Sequence, residues 1–192
     1  MPTAEWDREP VTIFEIDQPQ CFRSYGDAAL HVVDTADFDG TDYMKRGGGL
    51  TGAANSKSGI ISAWVRLDSG DGSPQVLLFG STNLGGSTAR FWLVRGPGDT
   101  FWIKARDAAG NTVFDIVTVG TYTASATWLH ILAAFDLATS SYGLYVNDVS
   151  DAAAPTIVNT DIDYTLGDWG VGAQPNGAIT LRGCLTEVYF AP

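Results

Sequence analysis

The sequence predicts an all-β protein, a sandwich of two antiparallel sheets. Short apolar runs recur along the 192 residues, each cut off by residues that favour turns. Gly and Asp abound at 22 and 18, while Glu numbers only 4, so strand and turn chemistry outweighs helix chemistry. No apolar stripe of helical period reaches ordinary helix length.

The elements follow in order. Val11–Ile16 is a short run rich in β-branched residues, and Ala29–Val33 and Tyr43–Lys45 are short apolar runs. Gly59–Leu67 is apolar on both faces from Ile60 onward, which places it centrally. Gln75–Phe79 follows Gly70-Asp71-Gly72, a turn in which Gly accepts positive φ. Arg90–Arg95 and Thr100–Arg106 flank Gly96-Pro97-Gly98-Asp99 and so form a hairpin. Val113–Val119 follows Ala109-Gly110-Asn111; Trp128–Asp136 is central too, being apolar on both faces from Leu129 to Phe135. Gly143–Val149, Trp169–Gly172 and Gly183–Phe190 complete the series, with Asp151–Pro155 a surface loop and Pro175-Asn176-Gly177 a turn.

Composition bounds the function. The length suits one domain, and 45% hydrophobic residues suffice for a core. A net charge of −11 argues against nucleic-acid partners, since a polyanion would be repelled over most of the surface. No run approaches the roughly 20 apolar residues of a membrane helix, so membrane insertion is not expected. Met1–Trp6 does not read as a signal peptide. Cys21 and Cys184 form no CxxC pair; one disulfide or two buried thiols both fit. His31 and His130 stand alone in apolar runs and read as core histidines. Trp64 and Trp128 read as core, while Trp169 is open to a loop position.

Taken in order, certain segments carry a resemblance. They are Phe38-Asp39-Gly40-Thr41-Asp42-Tyr43, Ser58–Leu67 with Trp64, Trp128–Asp136, Gly143–Asp148, Gly170-Val171-Gly172-Ala173 and Gly183–Phe190. Together they resemble the laminin-G-like, concanavalin A-like lectin/glucanase family over about residues 28–190. The resemblance implies a jelly roll, in residues 28–192; residues 1–27, with Pro2, Pro10 and Pro19 around one strand, read as an extension that docks on the sandwich or on a partner. Lectins, adhesion modules and glucanases share that fold, so fold does not decide among them. The run Pro10–Cys21, with Tyr25-Gly26, is similar to openings of tail-associated proteins from tailed bacteriophages. That similarity implies a virion protein made in the host cytoplasm, assembled with other virion proteins and with copies of itself. The alternative is a free carbohydrate-binding or adhesion module.

The glucanase branch carries Glu-x-Asp-x-Glu or Glu-x-Asp-x-x-Glu on one strand, supplying nucleophile and acid/base. Here Glu15-Ile16-Asp17 opens that pattern, but Pro19 and Gln20 stand where the second glutamate belongs. No Gly-x-Ser-x-Gly elbow or phosphate loop occurs. The chain reads as a non-enzyme. Asp161 and Asp163 read as turn caps.

A binding surface is suggested by the hairpin. Alternation puts Phe91, Leu93, Phe101, Ile103 and Ala105 on the core face. Arg90, Trp92, Val94, Trp102, Lys104 and Arg106 share the other face. Trp92 is expected opposite Lys104, and Val94 opposite Trp102. With Arg95, four of eleven cations fall in these seventeen residues. Indoles among cations suit an acidic host-surface polysaccharide, and equally suit a protein interface or intramolecular cover. No cofactor is required. Relatives often hold Ca²⁺ through Asp carboxylates, for which Asp37, Asp39 and Asp42 are the candidates.

Overall fold

The computed structural model describes residues 35–82 and 89–192. The Val11–Ile16 and Ala29–Val33 strands, Cys21, His31 and the proposed boundary at residue 27 lie outside them.

Thirteen strands are found among the described residues. They are β1 (Ala36–Asp39), β2 (Met44–Gly47), β3 (Ser58–Leu67), β4 (Gln75–Ser81), β5 (Ala89–Arg95), β6 (Phe101–Arg106) and β7 (Thr112–Val117). The chain continues with β8 (Leu129–Asp136), β9 (Ser141–Val146), β10 (Val149–Ser150), β11 (Thr156–Ile157), β12 (Asp168–Val171) and β13 (Arg182–Ala191). One sheet runs β1-β13-β3-β8-β9-β10 and the other β11-β7-β6-β5-β4-β12-β2, with every pairing antiparallel. Their inner faces meet over a continuous core that includes Ile61, Val65, Phe91, Ile103, Phe114, Ile131 and Leu144.

β3 and β8 are central, as their apolar content requires, and pair from Ser58↔Asp136 to Val65↔Leu129. Strict alternation governs β6, whose residues alternate buried and half-buried from Phe101 to Arg106. Three strands escape the sequence reading: β1, β10 and β11 have two to four residues each, too short for a period to register. β1 nevertheless matters, because Phe38 is buried and its ring lies over Gly172. Gly172 has φ +77, and a Cβ there would meet the Phe38 ring at 2.2 Å, so both backbone and packing require glycine.

The tryptophans are redistributed relative to expectation. Trp169 is buried at 1% on β12, in ring contact with Phe91 and Phe190, and is no loop residue. Trp64 is half-buried on the outer face of the six-stranded sheet, stacked 4.8 Å from His130. Trp128 is half-buried with Arg66 5.7 Å over its ring. His130 is thus not a core histidine; Ser62 Oγ lies 2.9 Å from its Nε2 on that outer face.

Candidate functional site

The hairpin β5–β6 forms with the expected register, Trp92↔Lys104 and Val94↔Trp102. Its turn closes through Gly96 N–H to Thr100 O (2.9 Å) and Asp99 N–H to Gly96 O (3.0 Å). Phe91, Leu93, Phe101, Ile103 and Ala105 are wholly buried on the core side. The partners of Trp92 then fix a row across the whole outer face of the seven-stranded sheet. It reads Lys45, Gly170, Phe79, Trp92, Lys104, Asp115, Thr156. The next row runs Val76, Val94, Trp102, Val117.

Around Trp92 these side chains form a second apolar cluster with Val76, Phe79, Ala89 and Val94, against which Trp102 packs. Phe79 stacks on Trp92 at 6.0 Å, and Trp102 meets Trp92 edge-on at 5.6 Å and 86°. Lys104 Nζ stands 5.0 Å from the Trp102 centroid and 5.8 Å from that of Trp92, and the Arg106 guanidinium lies 5.1 Å from Trp92. Cations over ring faces are held by the quadrupole of the aromatic system. Trp92 is only 8% exposed, so it supports the surface, and Trp102, half-buried, is the more open of the two indoles.

Asp115 organises this group. Its Oδ1 accepts the Trp102 Nε1–H at 2.6 Å and its Oδ2 pairs with Lys104 Nζ at 2.9 Å. One carboxylate therefore fixes an indole and a cation together. Alternation alone could have found it, since Asp115 is the acid on the outer face of β7.

The cations differ in what holds them. Arg90 Nε lies 3.8 Å from the buried Asp163, and its Nη2 donates to Ala108 O. Arg95 does not join the surface at all: register places it opposite Phe101, and its guanidinium is 0% exposed beside Asp71 and Asp99. Arg106 carries no ion pair among the described residues, and its Nε is buried without a hydrogen-bond partner. That leaves its positive charge available to an incoming anion.

The calcium candidates are not gathered into one site. Asp39 Oδ1 accepts the Thr41 N–H (2.8 Å) and Oγ1–H (2.6 Å), and these bonds hold its pKa below the usual carboxylate value. Asp37 is grouped instead with Asp68 and Cys184, and Asp42 is exposed outside that group. Arg66 enters the group, donating to Asp68 at 2.8 Å and to Cys184 Sγ at 3.1 Å. A thiol and a guanidinium do not suit a hard cation that prefers oxygen ligands. Burial pushes the Cys184 thiol up to about 11, so sulfur stays protonated there.

Residues 38–191 match the family model of the concanavalin A-like lectin/glucanases superfamily. The chain belongs to that superfamily. Among solved structures it is similar to a candidate carbohydrate binding protein from Bacteroides ovatus ATCC 8483, with TM-score 0.60 and 15% identity. That match covers 84% of this chain and 44% of the other, so the chain spans under half of that relative's length. The K499G mutant of the NanB sialidase from Streptococcus pneumoniae gives TM-score 0.56 and 16% identity over 71% of this chain and 22% of the sialidase. A native heptameric SAP-like pentraxin from Limulus polyphemus gives 0.51 and 10% over 79% and 76%. A search of curated proteins finds no sequence match.

Within this concanavalin A-like domain, the described carboxylates are largely engaged as caps. Asp107 accepts from Asn111, Asp136 from Ala138 and Thr139, and Asp163 from Thr165. Glu187, the one glutamate among the described residues, is exposed at the β13 irregularity with φ 51.

Proposed function

We propose that this concanavalin A-like domain is a non-catalytic saccharide-binding module that takes an acidic polysaccharide on the outer face of β5–β6. The observation that carries the reading is Arg106. It is a half-buried cation held over Trp92, with no acidic partner among the described residues, in a chain of net charge −11. Trp102 supplies ring surface beside it, and Asp115 fixes that ring through the indole N–H. A uronate carboxylate would meet the free guanidinium, while a sugar ring packs on the half-exposed indole. Lys104 contributes field but is already shared with Asp115, and Arg90 is tethered at the margin.

The absence of hydrolysis is part of the proposal. Retaining cleavage needs two carboxyl groups about 5–5.5 Å apart, one of them free to protonate a leaving group. The capped aspartates described above are fixed as acceptors in their own turns, which supports binding without cleavage. Residence in a phage virion, beside other virion proteins and copies of the chain, is proposed on the similarity of Pro10–Cys21 alone. It is checked by whether antibodies to this chain decorate purified particles.

The binding test is affinity electrophoresis through gels containing polygalacturonate or a neutral β-glucan. Retardation is expected in polygalacturonate and is expected to fall on Arg106→Gln by roughly tenfold or more, the worth of one charge-assisted hydrogen bond of about 1.5–3 kcal/mol. Equal mobility of both proteins in polygalacturonate would sink the assignment.

A further inference from the structure

The opposite sheet carries a second surface, chemically unlike the first. Four of the exposed large apolar side chains, Ile60, Tyr142, Tyr145 and Tyr189, come from β3, β9 and β13. Register across the six-stranded sheet gives a row Tyr189, Ser62, Leu132, Tyr145, and beside it a row Ala191, Ile60, Ala134, Gly143. Tyr189 and Tyr145 stand three strands apart, about 14 Å, and the residues between them are smaller.

The orientation of Tyr145 is the informative detail. A Cβ at Gly143 would stand 2.6 Å from Tyr145 Cε2 and 3.3 Å from its Cζ and Oη. The ring therefore lies back over the strand in the space that glycine leaves, instead of standing away from the sheet. It is 38% exposed, so surface on its far side is open. Gly143 has no positive φ; it serves close approach, not backbone freedom. Beside this ring lies a shallow depression of about 550 Å³, lined by Ser58, Ile60, Asp136, Ser141, Tyr142 and Tyr145 among others. Its lining is mostly apolar with a few hydroxyls, the usual make-up of a small-ligand site.

We infer that this depression is a second saccharide site, selective for uncharged sugar chains, with Tyr145 as its stacking platform. Charge argues for the selectivity: the single charged side chain lining it is Asp136, which repels uronates and accepts hydroxyl donors. The open side of an aromatic ring pairs with the apolar C–H face of a pyranose, and the hydroxyls of Ser58 and Ser141, hydrogen-bonded to Ser56 and Thr139, stand at the margin. A second copy of the chain would be the other occupant of an exposed aromatic face. The folded-back ring and the concave, hydroxyl-edged lining favour a sugar over a protein surface. The site is independent of Arg106, so the two assignments stand or fall separately.

The test titrates the whole chain with cellohexaose, laminarihexaose and mannohexaose, followed by tyrosine fluorescence and calorimetry. At least one hexasaccharide is expected to bind. Tyr145→Ala and Gly143→Ala should each weaken it tenfold or more, the second by lifting the ring while leaving the tyrosine in place. Arg106→Gln should leave it unchanged, and polygalacturonate should not compete. Circular dichroism and the melting temperature confirm that the Gly143→Ala protein is folded, since only the mobile end of Tyr145 must move. No binding of any of the three, binding indifferent to both substitutions, or a change in oligomeric state without a change in sugar affinity would each overturn the inference.

Discussion

Replacing Arg95 by Met removes a charge that the fold has taken wholly out of water. The guanidinium, 0% exposed, donates to Asp71 Oδ1 at 3.0 Å, to Tyr122 O at 3.2 Å and to Gly70 O at 2.5 Å, with Asp99 Oδ1 3.7 Å away. Those acceptors belong to three separate loops, and the carboxylates are themselves cross-linked: Asp71 accepts from Ala124 N–H and Asp99 from Gly72 N–H. Methionine fills the volume of the stem but leaves Tyr122 O without its donor, while Gly70 O keeps the Ser73 N–H at 3.1 Å. An abandoned buried acceptor costs about 1–3 kcal/mol. Removing one partner of a fully buried ion pair costs about 3–5 kcal/mol. Asp71 is 45% exposed and is re-solvated when the pair is lost, which pulls the sum toward the lower end. The expected loss is about 3 kcal/mol, or roughly 6–12 °C in Tm for a domain of this size. Urea titration at constant m is the assay, since a fall in midpoint alone then reports stability. Arg95→Met within about 0.5 kcal/mol of the parent, the range of ordinary surface substitutions, would refute the reasoning.

Further expectations concern single side chains. Asp115→Ala releases both the Trp102 N–H and Lys104, and should broaden and shift the Trp102 indole resonance while costing about 1–2 kcal/mol in urea. In a Cys21→Ser protein, Cys184 should resist iodoacetamide at pH 8.5 and react progressively as pH nears 11. Its folded pKa of about 11 exceeds the reference 9.0, so the stabilisation tied to the neutral thiol is complete below pH 9 and is lost as pH rises through 11. Labelling at pH 8.5 as fast as that of a free thiol would contradict this. Millimolar Ca²⁺ against chelator should leave Tm unmoved, because the carboxylates of Asp37 and Asp39 are committed elsewhere; a rise of several degrees would restore a calcium site.

The fold was legible because period two is a strong signal wherever one face is buried. The β5–β6 hairpin shows this best, since its turn residues and alternation fixed both register and core face. Arg95 was counted among the hairpin's cations without being given a face, and its burial was only half legible. Position 95 shares parity with Phe91 and Leu93, and its burial depends on acceptors 24 and 27 residues away that no local pattern reveals. Trp64 and His130 were misplaced for another reason. A strand apolar on both faces looks buried on both, yet here the outer face is only half covered, by side chains packing on each other. The Tyr145 platform was invisible because it depends on a ring folding back over the glycine two residues earlier, a three-dimensional use of an ordinary spacing.

The position of β13 bears on how the chain is made. Residues 182–191 lie between β1 and β3, inside the sheet rather than at its margin. In chain order β3 and β8 come well before β13, so among the described residues one edge of β3 has no partner until residues 182–191 have been made. For that interval Ile60–Leu67 presents unpaired amides and carbonyls along an apolar strand, the kind of edge that recruits foreign strands. Closing the six-stranded sheet therefore joins strands more than a hundred residues apart, a long-range pairing of the kind that slows folding and leaves an edge open to aggregation meanwhile.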